Sequence, residues 1–384
     1  MQPSAKPALT LTSARFDDLP GWRAADSRGA LAAFRRSCAV ILARDARRPL
    51  GGLGYAGRAG DWRAVCAAAS HVGFGADEAR KWFETWFAPF AAGSASGHKS
   101  LFTGYYEPQI QVARTPRGPY RVPIYGLPDD LVTADLGSFR SGLEGIRISG
   151  RVENRRLVPF PTRAEIDRHE LSDAPVLLYA SDPVALFLVQ IQGSGRAMLE
   201  DGTRLRLAFA GQNGRPYSPI GRVLVRQSAL ARGNLSMQSI RSWLESHKSV
   251  AARIMETDDS YVFFRELPIG DASLGSPGSE GVPLTPQASI AVDPDVHALG
   301  IPMFVVADVP QTDRNGRTQR FARLCVAQDT GGAIKGEVRA DIFWGFGADA
   351  ESLAGHMNSP GSLYVLLPKA LAARAAHQFS EARS

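Results

Sequence analysis

The chain has 384 residues, a formal net charge of +6, 44% apolar and 21% charged residues, and only three cysteines. That length allows two or three domains, and the composition is that of a globular protein. The basic residues stand singly or in pairs, with no aromatic-interleaved stripe, so nucleic acid is excluded as a partner.

The start, "MQPSAKPALTLTSARFDDLP", lacks the charged-then-apolar order of a signal peptide, and no run approaches a membrane span. The first hundred residues read as helices. "RGALAAFRRSCAVILAR", "DWRAVCAAASHV" and "ADEARKWFETWFAPF" repeat apolar residues at three and four positions, with Asp61 and Asp77 set to favour helix starts. Cys38 and Cys66 lie in apolar contexts and read first as buried thiols, with a disulfide between them as the alternative. Gly52 to Gly57 matches G-x-G-x-x-G, but the polar, Pro49-interrupted lead-in is no buried strand, so the glycines read as an interhelical loop.

From Leu101 onward the texture changes to short apolar runs between turns. "YRVPIYG", "RRLVPF", "PVLLYA", "ALFLVQIQGSG", "RLRLAFAG" and "GRVLV" read as strands, followed by one amphipathic helix, "MQSIRSWLESHKSVAARIME". After it come "SYVFFREL", a polar loop at Asp271–Glu280, then "ASIAVD", "PMFVVADV", "RLCVAQD" and "ADIFWG". A helix near Ala350–Met357 and a last strand, "LYVLLP", close the pattern. The fold class is α+β, mainly β.

Seven histidines occur, no two within five residues and none in H-E-x-x-H, so no metal is expected. Gly193-Ser194-Gly195 is not a nucleophile elbow. Two aspartates stand out. Asp329 opens Asp329-Thr330-Gly331, the tripeptide of aspartic proteases, but it occurs once where a protease needs two carboxylates sharing a proton. Asp341 precedes Ile342, Phe343 and Trp344, and on a strand Asp341 and Phe343 share a face. A carboxyl buried beside apolar groups keeps its proton near neutral pH, as an acid acting on a glycosidic oxygen must. The alternative for Asp341 is a strand-ending cap. The turn after Asp329, with Gly331 and Gly332, would aim backbone N–H groups inward.

Five blocks in order carry a resemblance: "LFTGYYEP", "FLVQIQGSGRAMLEDGTRLRLAFAGQNGRPYSPIGRVLV", "DSYVFFRE", "GVPLTPQASIAVDP" and "VAQDTGGAIKGEVRADIFWGFG". From about residue 100 to 367 the chain resembles the membrane-bound lytic murein transglycosylase A family. The resemblance implies a large domain of about 1–106 and 269–384, with N-terminal helices and a six-stranded double-psi β-barrel. It implies a smaller β-domain inserted at about 107–268, with the glycan between the two. It implies cleavage of the MurNAc–GlcNAc β-1,4 bond of peptidoglycan without water, leaving 1,6-anhydro-MurNAc, with no cofactor.

Carried onto this chain, the catalytic aspartate is Asp341, and Asp329 and Thr103 face the same groove. Gln190, Gln192 and Ser194 offer groups to sugars, as do Gly331 and Gly332. Tyr105 or Tyr106 stacks on a sugar while the other fills the core, and Lys335 meets a substrate carboxylate. Peptidoglycan strands are the implied partner, the protein a monomer, the location periplasmic and outer-membrane-associated. The lipid-anchor cysteine usual near the start of family members is absent from this N-terminus. A peptidoglycan hydrolase, a glycan-binding barrel without turnover and a dimeric aspartic protease remain as alternatives.

Overall fold

The computed structural model describes residues 8–73, 75–143, 146–169, 171, 174–231, 236–310 and 318–374. The first seven residues, His377 and the side chain of His169 thus lie outside what is described, although the leader and histidine readings touch them. Two compact units are present, Met1–Tyr106 with Ala272–Ser384, and Glu107–Asp271.

In chain order the first unit opens with β1 (Leu9–Ser13), α1 (Arg28–Ala43), α2 (Ala59–Ala69), α3 (Ala76–Trp86), β2 (Phe87–Ser94) and β3 (Leu101–Glu107). The second holds β4 (Gln109–Ala113), β5 (Val122–Tyr125), β6 (Val132–Asp135), β7 (Arg147–Glu153), β8 (Arg156–Pro159), α4 (Arg163–His169) and β9 (Val176–Ala180). It continues with α5 (Pro183–Gln192), β10 (Gly195–Leu199), β11 (Arg204–Gln212), α6 (Ile220–Arg226), α7 (Met237–Ser246), α8 (Lys248–Met255) and β12 (Val262–Pro268). The first unit resumes with β13 (Ser289–Val292), β14 (Pro302–Pro310), β15 (Thr318–Thr330), β16 (Arg339–Phe346), α9 (Ala348–His356), β17 (Asn358–Ser359) and β18 (Gly361–Pro368). The chain is α+β and mainly β, with the strands in several open sheets.

In the first unit, Phe34 of α1, Trp62 of α2, Phe83 of α3 and Phe87 at the start of β2 are buried against one another. Asp61 accepts the N–H of Arg58 and closes the first turn of α2. Contrary to the reading as separate thiols, Cys38 and Cys66 are bonded, because the packed faces of α1 and α2 bring their Cα atoms to 5.2 Å. The helical reading of the first hundred residues also needs correcting at both ends. "FAPFAAGS" is β2, which pairs with β1 and β18 and so belongs to the sheet.

Nine strands form the sheet in the order β1-β2-β18-β14-β15-β13-β16-β3-β17. The short β13 lies parallel to β15 on one side and antiparallel to β16 on the other.

The second unit carries a six-stranded sheet, β12-β11-β10-β4-β9-β5, and a three-stranded one, β6-β7-β8. Two predicted strands are helices here. "ALFLVQIQ" is α5, started by Asp182, whose carboxylate accepts from the Val184 N–H, and by Pro183, and ended by Gly193 in the left-handed region. Leu186 and Val189 face the sheet core while Val184, Phe187 and Leu188 face the helices, so both sides are apolar and no helical period is visible. "GRVLV" is α6, which buries Ile220 and Leu224 one turn apart. The single amphipathic helix is two, α7 and α8, broken at His247, whose ring stacks on Trp243.

Candidate active site

Asp329 is the next-to-last residue of β15, and Asp341 is the third of β16. Between them runs β13, and Ala291 is the register partner of both. With strands about 4.8 Å apart, the two aspartate Cα atoms lie roughly 10 Å from each other. On the far side of β16 is β3, where Thr103 and Tyr105 alternate to one face. Gly104 between them turns to the other face, where a Cβ would meet Trp344 Nε1 at 2.4 Å and the Ala354 Cα at 2.9 Å.

The Asp341 side chain is half-buried. Its Oδ1 accepts the Thr103 hydroxyl at 2.5 Å, and among the described residues its Oδ2 accepts nothing. Burial pushes the carboxyl up from the ordinary range. Arg339 and the Thr103 hydrogen bond pull against that rise, and the Asp329 charge adds to it. Ile342 and Trp344 enter the core from the opposite face, while Phe343, on the face of Asp341, packs on the Tyr105 ring at 5.2 Å.

Asp329 is held differently. Its Oδ1 accepts from the Ser279 N–H, the Ser279 hydroxyl and the Thr330 N–H, each at 2.9 Å, and its Oδ2 accepts the Tyr105 hydroxyl at 2.9 Å. Burial raises this carboxyl too, against four hydrogen bonds that favour its charged form. Burial, and then the charge of Asp329, raises the Tyr105 phenol far above its usual range, so it remains a donor.

The fold therefore brings Thr103, Tyr105, Asp329 and Asp341 together. Gly331 and Gly332 form the turn after β15, with the Gly331 carbonyl accepting from the Ile334 N–H at 2.9 Å. Lys335 follows that turn, but its ammonium is held by Asp293 at 3.0 Å and Asp295 at 2.8 Å. Gln192 and Ser194 belong to the Glu107–Asp271 unit. Gln190 is buried, accepts from Arg163 and donates to the Val262 carbonyl; this corrects its reading as a sugar partner, since both ends of its amide are used within the protein. Tyr106 fills the core.

Sequence reasoning missed two residues. Arg339 is buried two positions before Asp341, and its Nη2 donates to Thr103 Oγ1 at 2.8 Å. The period-two pattern of the strand was the available signal. Ser279 reaches Asp329 from the polar loop, fifty positions away, and nothing local marks it. Its neighbour Gly278 passes so close that a Cβ would lie 2.6 Å from the Gln328 carbonyl oxygen.

Residues 101–265 match the profile of the MltA specific insert domain, and residues 288–367 that of the 3D domain. The chain is 35% identical over 269 residues to the membrane-bound lytic murein transglycosylase A of Escherichia coli (strain K12). That alignment covers 69% of this chain and 65% of the relative, so it spans just under two thirds of the relative's length. The crystal structure of a membrane-bound lytic murein transglycosylase from Agrobacterium tumefaciens is similar at 33% identity and a TM-score of 0.83, over 95% of this chain and 99% of that one. The structure of Escherichia coli MltA with bound chitohexaose is similar at 28% identity and a TM-score of 0.63, over 96% and 92%.

Proposed function

The chain belongs to the membrane-bound lytic murein transglycosylase A family, and from that premise we propose that it cleaves the MurNAc–GlcNAc β-1,4 bond of peptidoglycan without water. The product end is 1,6-anhydro-MurNAc. One observation carries this reading: two carboxyls stand on one face, one with an unengaged oxygen and the other saturated by donors.

Asp341, whose carboxyl burial pushes up, donates the proton on its free oxygen to the glycosidic oxygen as the bond to C1 breaks. The electron pair leaves with the GlcNAc hydroxyl, and an oxocarbenium-like centre forms at C1. Asp341, now a carboxylate, takes the proton of the MurNAc C6 hydroxyl while that oxygen bonds to C1. The nucleophile belongs to the same sugar, so no second molecule has to be captured. A hydrolase needs a second carboxylate to activate water, and Asp329 already accepts four hydrogen bonds. Nor does a hydrogen bond join Asp329 to Asp341, so the pair is unlike the proton-sharing dyad of an aspartic protease.

Thr103, Tyr105 and Asp329 hold and line this face, and Gly331 and Gly332 offer backbone groups beside it. The relative with bound chitohexaose supports a glycan ligand. The same reading takes the strands of the first unit as a double-psi β-barrel and about 107–268 as an inserted β-domain. It takes the protein to act as a monomer on periplasmic peptidoglycan, associated with the outer membrane. Digesting purified peptidoglycan and weighing the fragments tests the reaction: anhydro ends support it, and ends heavier by one water contradict it.

A further inference from the structure

Arg339 and Asp341 are two apart on β16, so both side chains emerge on one face. The guanidinium is buried, yet among the described residues no carboxylate forms a salt bridge with it. Its hydrogen bonds go to Thr103 Oγ1 at 2.8 Å, to the Ala340 carbonyl at 2.7 Å and to the Leu101 carbonyl at 3.4 Å. A buried cation without an ion-pair partner is costly and needs a reason.

We propose that Arg339 is a positioning residue that fixes the direction of the Thr103 hydroxyl and so decides which oxygen of Asp341 carries the working proton. This rests on the reading of Asp341 as acid and then base. A guanidinium has donors only, so toward Arg339 the Thr103 oxygen must accept. Its single hydrogen is then free for one direction, Asp341 Oδ1 at 2.5 Å. An oxygen that already accepts the Thr103 hydrogen is disfavoured as the site of the acid proton. The proton sits on Oδ2, which has no partner among the described residues. Once it has been given up, the charge left on the carboxylate is met by a hydroxyl polarised by the cation behind it.

The groups facing Asp341 are Arg339 from its own strand, Thr103 and Tyr105 from β3, and Asp329 from β15. Arg339 draws the carboxyl down and Asp329 raises it. Removing the Arg339 charge therefore leaves Asp341 protonated to higher pH.

The test is the pH dependence of peptidoglycan turnover in the wild type, Arg339→Gln, Arg339→Lys and Thr103→Val, with thermal melts to verify folding. Arg339→Gln is expected to lose about tenfold in turnover and to move the alkaline limb of the profile upward. Arg339→Lys keeps the charge and the wild-type limb. A folded Arg339→Gln with the limb of the wild type overturns the inference. Should Arg339→Gln not fold, Thr103→Val decides. It must shift the limb upward too, because it removes a donor that favours the carboxylate, and an unmoved limb overturns the inference. Asp341→Asn separates the two levels. Full turnover in that variant overturns the acid–base reading itself, whereas an inactive Asp341→Asn beside an unshifted Arg339→Gln overturns only the role of Arg339.

Discussion

Asp329 and Asp341 stand opposite the same residue, Ala291, one on each flank of β13. Ala291 between them is small and buried, and the neighbours on either side differ. Asp329 accepts four hydrogen bonds, and Asp341 accepts one. Two residues of one type, at one register, are thereby given different chemistry by their surroundings.

Asp329→Asn should slow turnover by about tenfold, equivalent to about 1.4 kcal/mol of positioning, without abolishing it. The amide NH2 cannot accept, so either the Tyr105 hydroxyl must turn from donor to acceptor, or the Ser279 and Thr330 N–H groups lose their acceptor. Steady-state rates on purified peptidoglycan check this. Complete loss on this substitution would make Asp329 a proton carrier in its own right.

The Cys38–Cys66 bond closes a loop with a sequence separation of 28. Chain-entropy reasoning gives it about 3–4 kcal/mol of stability. The Cys38→Ser/Cys66→Ser double variant should unfold at correspondingly lower denaturant, and a reductant should bring the wild type to the same midpoint. Equal midpoints in oxidising buffer would speak against a formed bond.

His297 is fully buried, its Nδ1 accepting from the Tyr55 hydroxyl at 2.7 Å and its Nε2–H donating to the Glu337 carbonyl at 2.8 Å. Burial pushes its pKa down from 6.5 to about 4. Between those values the unfolded chain binds a proton that the folded one refuses. His297 therefore costs stability progressively as pH falls from 6.5 to 4, by roughly 3 kcal/mol in total. Melting temperatures of the wild type should fall over that window, and His297→Gln, though less stable at pH 8, should fall less steeply. Parallel curves would place the titration elsewhere.

Gly104→Ala should cost about 2 kcal/mol and slow turnover, because the new Cβ collides with the Trp344 indole and the backbone of α9. The strand must shift, carrying Thr103 and Tyr105 with it. A variant with wild-type melting and wild-type rate would show that β3 has slack there.

Much of the site was legible because a strand's period of two is simple. Asp341 and Phe343 had to share a face, and they do, with Ile342 and Trp344 in the core behind. Asp329 at its glycine turn was visible as well. Arg339 obeyed the same period but was passed over, since a charged residue next to a buried strand reads as a solvated end. Ser279 was invisible, because its bond to Asp329 exists only once the polar loop folds back over β15. In the second unit, α5 was misread because it is apolar on every side, packed between a sheet and three helices. Its strongest clue was the Asp182-Pro183 start. The Cys38–Cys66 bond depended on how two helices pack, which spacing alone does not give.

The most direct test of the whole account is Asp341→Asn, assayed for release of anhydro-ended fragments from peptidoglycan and, separately, for retention on insoluble peptidoglycan. Asp341→Asn should lose turnover by about a hundredfold or more with binding preserved. Anhydro ends released at the wild-type rate would contradict it.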